Sequence, residues 1–253
     1  MISFIIPFHN EEDNVSPIDR VISYGKKQDW HFEIIPVDDR SNDDTKIRLQ
    51  EFQKKYSFVK PIYRTRDSEE KGNTMGKALI EGTKKAQGDL IIWTMGDLTD
   101  KQDTYGEIIN KLKSGSDLVF GSRYMIGGSH GNLDKLKAFL SSWGTRLARL
   151  LFNIPVNDIT NAFRGFRKKA FTQLILTSPG FSISPEFAVK AHLSGFKLAE
   201  VPTIYTDRVK GTSNFILYKM SISYLNIYLN LFIRYKLLKK PLDFFISSKA
   251  NHP

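Results

Sequence analysis

Over roughly the first half of the chain, short runs rich in β-branched and aromatic residues alternate with stretches of helical period. Ser3 to Pro7, Phe32 to Val37, Val59 to Tyr63, Leu90 to Trp93 and Leu118 to Phe120 read as strands. Between the third and fourth, Met75, Ala78, Leu79, Gly82 and Ala86 recur at helical spacing before Gly88-Asp89 ends the helix. This alternation predicts βαβ units, and hence an α/β fold with a mostly parallel, Rossmann-like sheet flanked by helices. In such open sheets ligands bind beyond the carboxyl ends of the strands, so the residues just after each strand matter most.

Those positions are polar. After Ile6 comes Pro7-Phe8-His9-Asn10-Glu11-Glu12, which is neither a dinucleotide fingerprint nor a Walker loop, so hydride transfer and P-loop phosphoryl transfer lose their main support. Asp38-Asp39 follows the second strand, Arg64 and Arg66 the third, Asp97 the fourth and Arg123 the fifth. One strand-end aspartate is usually a helix cap. Functional groups at four strand ends together point to a nucleotide sugar, with carboxylates for ribose hydroxyls and a divalent cation, and guanidiniums for phosphate oxygens. The chain has no cysteine, which excludes disulfide scaffolds, zinc fingers and thiol nucleophiles.

Apolar residues from Leu133 to Leu151 predict a long amphipathic helix, followed by a helix near Pro185 to Leu193 and a strand near Leu198 to Ile204. The last periodic segment, Phe215 to Leu238, is mostly apolar or aromatic, yet Lys219, Ser223, Asn226, Asn230 and Arg234 fall in one polar stripe. It is interrupted too often for a membrane span, which needs ~20 predominantly apolar residues. It reads as a helix in an interface, either a membrane surface or a protein contact, with Tyr218, Tyr224, Tyr228 and Tyr235 as anchors; packing on its own domain is the alternative. Of the net charge of +10, the stretch from Tyr205 to Pro253 holds eight basic and two acidic residues, a net +6. That surplus points to an anionic partner. Met1 leads straight into the first strand without a basic stretch or cleavage site, so the expected location is cytoplasmic.

Pro7-Phe8-His9-Asn10-Glu11, Val37-Asp38-Asp39-Arg40-Ser41-Asn42-Asp43-Asp44-Thr45, Gly96-Asp97-Leu98, Gly121-Ser122-Arg123-Tyr124 and Arg208-Val209-Lys210-Gly211-Thr212-Ser213 together resemble, in order and spacing, the family 2 inverting glycosyltransferases of GT-A fold. Within that family the likeness is greatest to the dolichol (polyprenol) phosphate mannose synthases, and it covers Ile2 to Asn214. The resemblance implies a GT-A domain over residues 1–212, and the charge and period of the remainder predict a basic, amphipathic helical tail over 213–253. The resemblance also implies that Pro7, His9, Glu11, Val37 and Asp39 line the base and ribose pocket, and that Met95, Gly96 and Asn214 also belong to the nucleotide-sugar site. Asp97 would hold Mg²⁺ or Mn²⁺ against the diphosphate, and Arg123, Arg208 and the Ser213 turn would contact phosphates. Lys137 and Ser141, four apart on the long helix, match residues that face the acceptor phosphate; Arg164 and Arg167 follow an Asp-x-Thr segment at Asp158 that shapes the acceptor side, with one of the two arginines pointing inward.

The chain departs from the family pattern at two places. Met95-Gly96-Asp97 stands where Asp-Ala-Asp is usual, leaving the ion to Asp97, diphosphate oxygens and water, with Asp100 or Asp103 as substitutes. Magnesium tolerates such a sparse protein shell. Asn214 stands where a lysine is common. The expected reaction is transfer of a hexose from a GDP- or UDP-sugar to a polyprenyl phosphate at the cytoplasmic face of a membrane, with a homo-oligomer left open. If the acceptor were instead a saccharide hydroxyl, it would need a base, with Asp158 or Glu186 as candidates. Outside enzymology, the basic tail allows non-specific nucleic-acid binding, and the incomplete metal motif allows a noncatalytic partner subunit.

Overall fold

The computed structural model describes residues 1–65, 72–95, 102–205 and 217–238. In chain order the elements are β1 (Ile2–Phe8), α1 (Ser16–Lys27), β2 (Phe32–Asp38), α2 (Thr45–Lys55), β3 (Ile62–Tyr63), α3 (Met75–Lys85), β4 (Leu90–Trp93) and α4 (Thr104–Lys113). They continue with β5 (Leu118–Ser122), α5 (Lys135–Phe152), β6 (Arg164–Arg167), α6 (Lys168–Thr172), α7 (Ile183–Leu193), β7 (Leu198–Pro202) and α8 (Leu217–Phe232), which runs into a π-helical turn at Ile233–Leu237.

The described strands form one seven-stranded sheet in the order β3-β2-β1-β4-β6-β5-β7. All neighbours pair in parallel except β6, which runs antiparallel to both β4 and β5. The expected mostly parallel α/β architecture is therefore present. Its inner strands read as continuous apolar runs because both faces are covered. Phe4, Ile6 and Phe8 point to one core with Ile18 and Val21 of α1 and Ile108 of α4, whereas Ile5 points to the other with Leu79 of α3 and Phe187 of α7.

Three local departures from the sequence reading have simple causes. The expected strand Val59 to Tyr63 is reduced to Ile62–Tyr63 plus a bridge from Val59 to Ile34, because Pro61 has no N–H to donate to a ladder. The strand at Leu198 stops at Pro202, and Ile204 bridges to Ser129 instead. The antiparallel β6 has too little length to show a period of its own. Gly165 at its centre is required by packing, since a Cβ there would sit 2.2 Å from Ile108 Cγ2 and 2.7 Å from Ile92 Cδ1. Gly82 does the same for α3, whose added Cβ would lie 2.5 Å from Ile5 Cγ2.

Helix α5 starts where Asp134 accepts the Lys137 N–H at 3.0 Å and ends at Asn153, whose φ of 58° is left-handed. Helix α8 packs beside it, placing Tyr224 and Tyr228 in the same core as Ala148 and Phe152. The tyrosines expected to anchor an interface are thus buried at these two positions, and packing of this helix on its own domain is correct for that face.

Candidate active site

Parallel pairing puts Phe8 opposite Asp38, and Asp38 opposite Tyr63. His9, Asp39 and Arg64 therefore leave three adjacent strands side by side. His9 Nδ1 lies 2.7 Å from the Asp39 carbonyl oxygen. The buried Asp39 carboxylate accepts from the Arg64 guanidinium, from Arg40 Nε at 3.2 Å and from Thr74 Oγ1 at 2.6 Å. The second arm of Arg40 reaches Thr74 Oγ1. Arg40 does this from a φ of 64°, a conformation that costs about 1–3 kcal/mol for a residue with a side chain and is retained where surroundings over-determine it.

The two acidic motifs hold each other. Asn10 N–H donates to Ser41 Oγ at 2.9 Å, Asn42 N–H to Asn10 Oδ1 at 2.8 Å, and Glu11 N–H to Thr45 Oγ1 at 2.8 Å. Glu12 and Asp43 exchange backbone bonds across the same gap, through Glu12 N–H to Asp43 Oδ2 at 3.1 Å and Asp44 N–H to Glu12 Oε2 at 2.9 Å. Much of each motif is thus spent on fixing the loop that carries His9, Glu11 and Asp39.

At the end of β5, Arg123 makes a two-pronged ion pair with the fully buried Asp158, Nε to Oδ2 at 2.7 Å and Nη2 to Oδ1 at 3.1 Å, and reaches Thr160 Oγ1 at 3.0 Å. Burial alone would raise the Asp158 pKa, but the Arg123 charge and the bonds from Arg123 and Thr160 outweigh it and hold the carboxyl below its ordinary value. Next in sequence, Tyr124 Oη bonds Ser141 Oγ on α5.

One cavity of about 690 Å³ joins these groups, a size suited to a nucleotide-scale ligand. Pro7, His9, Glu11, Asp39, Arg40 and Thr74 line one end, Met95 and Arg123 the middle, and Lys137, Ser141, Trp143, Tyr224 and Tyr228 the other, between α5 and α8.

Of the residues expected from sequence, Pro7, His9, Glu11, Asp39, Met95, Arg123, Lys137 and Ser141 line this cavity together. Gly96, Asp97, Asp100, Arg208, Ser213 and Asn214 lie outside the described residues, as do Arg66 and the junction at 212/213. Four expectations are corrected. The Val37 side chain is in the core beneath α3, because the pleat turns it away from the strand end. Arg164 does not meet an acceptor phosphate: it is fully buried between the Trp93 and Phe120 rings. Its guanidinium donates to the carbonyls of Ile159, Asn161, Ala162 and Ser184. Burial depresses its pKa to about 9, opposed by Asp158 and Tyr224. Arg167 instead turns to the opposite face, to the carbonyls of Leu112 and Ser116. Neither base candidate is available, since Asp158 is held by Arg123 and Glu186 is buried against Lys190 with bonds from the Thr177 and Ser178 N–H groups.

Sequence reasoning missed Arg40 and Thr74 as cavity residues. Arg40 stood in a quoted motif, but only its backbone conformation turns it onto Thr74. Thr74 carried no signal, being one hydroxyl before a helix. Among the described residues, no group of three or more His, Asp or Glu side chains could hold a metal. Within the cavity, the Asp39 carboxylate already accepts from Arg40, Arg64 and Thr74.

A largely parallel sheet with one antiparallel insert, polar strand ends on one side and a cavity running on from them define a GT-A-type glycosyltransferase fold. The family model for glycosyl transferase family 2 matches residues 3–175, and the chain belongs to that family. It is 34% identical over 219 residues to a dolichol-phosphate mannosyltransferase of Pyrococcus furiosus, a match covering 84% of this chain and 58% of that protein. It is 26% identical over 216 residues to a polyprenol monophosphomannose synthase of Mycolicibacterium smegmatis, covering 83% of this chain and 78% of the relative. The chain thus spans little more than half the length of the Pyrococcus relative. Among solved structures it resembles glucosyl-3-phosphoglycerate synthase of Mycobacterium tuberculosis in complex with Mn²⁺, UDP and phosphoglyceric acid, with a TM-score of 0.65, 17% identity, and coverage of 92% of this chain and 78% of that one. The same enzyme with phosphoglyceric acid matches at a TM-score of 0.69 and 18% identity, covering 91% of this chain and 79% of that one.

Proposed function

We propose that this chain transfers a hexose from a nucleotide sugar to a polyprenyl phosphate, with inversion at the anomeric carbon. The observation that carries the proposal is the continuity of the cavity, from the polar strand ends through Arg123 to Lys137 and Ser141 and on between α5 and α8. The polar end suits a nucleoside diphosphate, with Glu11 and Asp39 toward the ribose and Arg123 toward phosphate oxygens. A divalent ion held by Asp97 would supply charge neutralisation for the leaving diphosphate. The commitment of Asp158 and Glu186 to ion pairs supports an acceptor that needs no base, and a phosphate monoester is already ionised. The names of both relatives, dolichol-phosphate mannosyltransferase and polyprenol monophosphomannose synthase, favour this acceptor and favour mannose as the sugar.

The acceptor end opens on an apolar surface. Leu136, Phe139, Trp143 and Leu150 on α5 and Ile222, Leu225 and Leu229 on α8 are exposed, and both helices carry basic residues and no acidic ones. Among the described residues no helix is long and apolar enough to cross a membrane. In this reading residues 1–212 bind the donor, while 213–253 together with α5 rest on the anionic cytoplasmic surface of a bilayer. The test is to incubate the full chain with GDP- and UDP-hexoses, Mg²⁺ or Mn²⁺, and either undecaprenyl phosphate in vesicles or a free saccharide. Metal-dependent formation of a lipid-linked hexose is expected, abolished by a chelator and by Asp97→Asn. Transfer to the saccharide alone would overturn the proposal.

A further inference from the structure

We infer that the Tyr228 hydroxyl donates a hydrogen bond to the acceptor substrate and helps select a phosphate-bearing one; this rests on reading the α5–α8 end of the cavity as the acceptor site. Tyr228 lines the cavity yet is only 1% exposed. Its ring packs edge-on against Phe152, with centroids 6.2 Å apart. Its Oη is fully buried and has no hydrogen-bond partner among the described residues. The other side-chain atoms in that condition belong to Tyr63, Ser122, Ser184 and Ser194, none of which lines the cavity.

A buried hydroxyl without a partner costs free energy that a phenylalanine of nearly the same shape would avoid. The hydroxyl is therefore matched to something that enters. Burial holds both Tyr228 and its neighbour Tyr224, one turn earlier, protonated far above ordinary pH, so each is a donor. A donor calls for an acceptor oxygen, and phosphate oxygens are the strongest acceptors either substrate offers. The nucleoside belongs at the strand ends with His9 and Asp39, and Tyr228 shares the α5–α8 wall with Lys137 and Ser141, which makes the acceptor's phosphate its partner.

The test is Tyr228→Phe in the full chain, with farnesyl phosphate and farnesol as probes in detergent, GDP and UDP as controls, and thermal melting. Farnesyl phosphate affinity is expected to fall about tenfold, equivalent to ~1.4 kcal/mol, with farnesol and nucleotide binding unchanged and Tm unchanged or raised. Equal affinity in variant and wild type overturns the inference alone. A lowered Tm with parallel losses for every probe assigns the hydroxyl to folding and also overturns it. A wild-type chain that binds nucleotide but no farnesyl phosphate is a different result, which removes the acceptor reading itself and this inference with it.

Discussion

The Arg123 side chain is clamped to Asp158 by Nε at 2.7 Å and Nη2 at 3.1 Å, and the Arg123 backbone N–H adds a third bond to the same carboxylate at 3.2 Å. A strand-end arginine at the middle of the cavity is thereby held in one place by a carboxylate with no exposure at all. This makes Asp158 a positioning residue for Arg123.

Asp158→Ala should therefore be severe. Removing one partner of a buried ion pair leaves the other charge uncompensated and typically costs about 3–5 kcal/mol. Urea unfolding should show a loss of that order. A loss below ~1 kcal/mol would mean that Arg123 relaxes freely into solvent.

Acid should destabilise the fold through the same group. The Asp158 and Glu186 carboxyls are both held below their ordinary values; burial opposes this in each, but Arg123 in one case and Lys190 in the other outweigh it. A depressed folded pKa contributes stability that is fully present above the unfolded value, about 4, and lost as pH falls through the folded value. The melting temperature is expected to hold from pH 7 to about 5 and to drop steeply below 4. Asp158→Asn and Glu186→Gln should each start lower and fall less. Parallel curves for variant and wild type would exclude these groups as the cause.

Arg164 and Lys137 separate structure from binding. Arg164→Met strips a buried cation from four backbone carbonyls, and the expected loss of stability is on the order of 3 kcal/mol or more. Lys137→Met, on the cavity wall of α5, should leave stability within about 0.5 kcal/mol and raise KM for polyprenyl phosphate about tenfold. If Arg164→Met folds normally and changes only the acceptor KM, its structural assignment is wrong.

Phe139→Glu combined with Leu229→Glu places two charges on the exposed faces of α5 and α8, away from the cavity wall. Flotation with anionic vesicles should drop at least tenfold while GDP or UDP binding is kept. If flotation is unchanged but a dimer seen by light scattering is lost, a second copy of the chain covers this face instead.

How much of this was legible in residue order follows from which interactions are local. The parallel strands, the helical periods of α3, α5 and α8, and the polar strand ends of a family 2 glycosyltransferase can be read directly, because hydrophobic period and turn chemistry repeat over a few residues. The same holds for the two acidic motifs, of which Glu11 and Asp39 read as ligand groups, while the part of Glu12 and Asp43 in stapling one loop to the other shows only in the folded chain. Chain order placed Arg164 and Asp158 beside a ligand. Only the tertiary structure showed one sealed between two rings and the other beneath Arg123, because burial and partner choice depend on residues dozens of positions away. The sheet's hydrogen bonding likewise brings Arg64 to Asp39, and the docking of α8 on α5 turns Tyr224 and Tyr228 from expected surface anchors into the inner wall of the cavity.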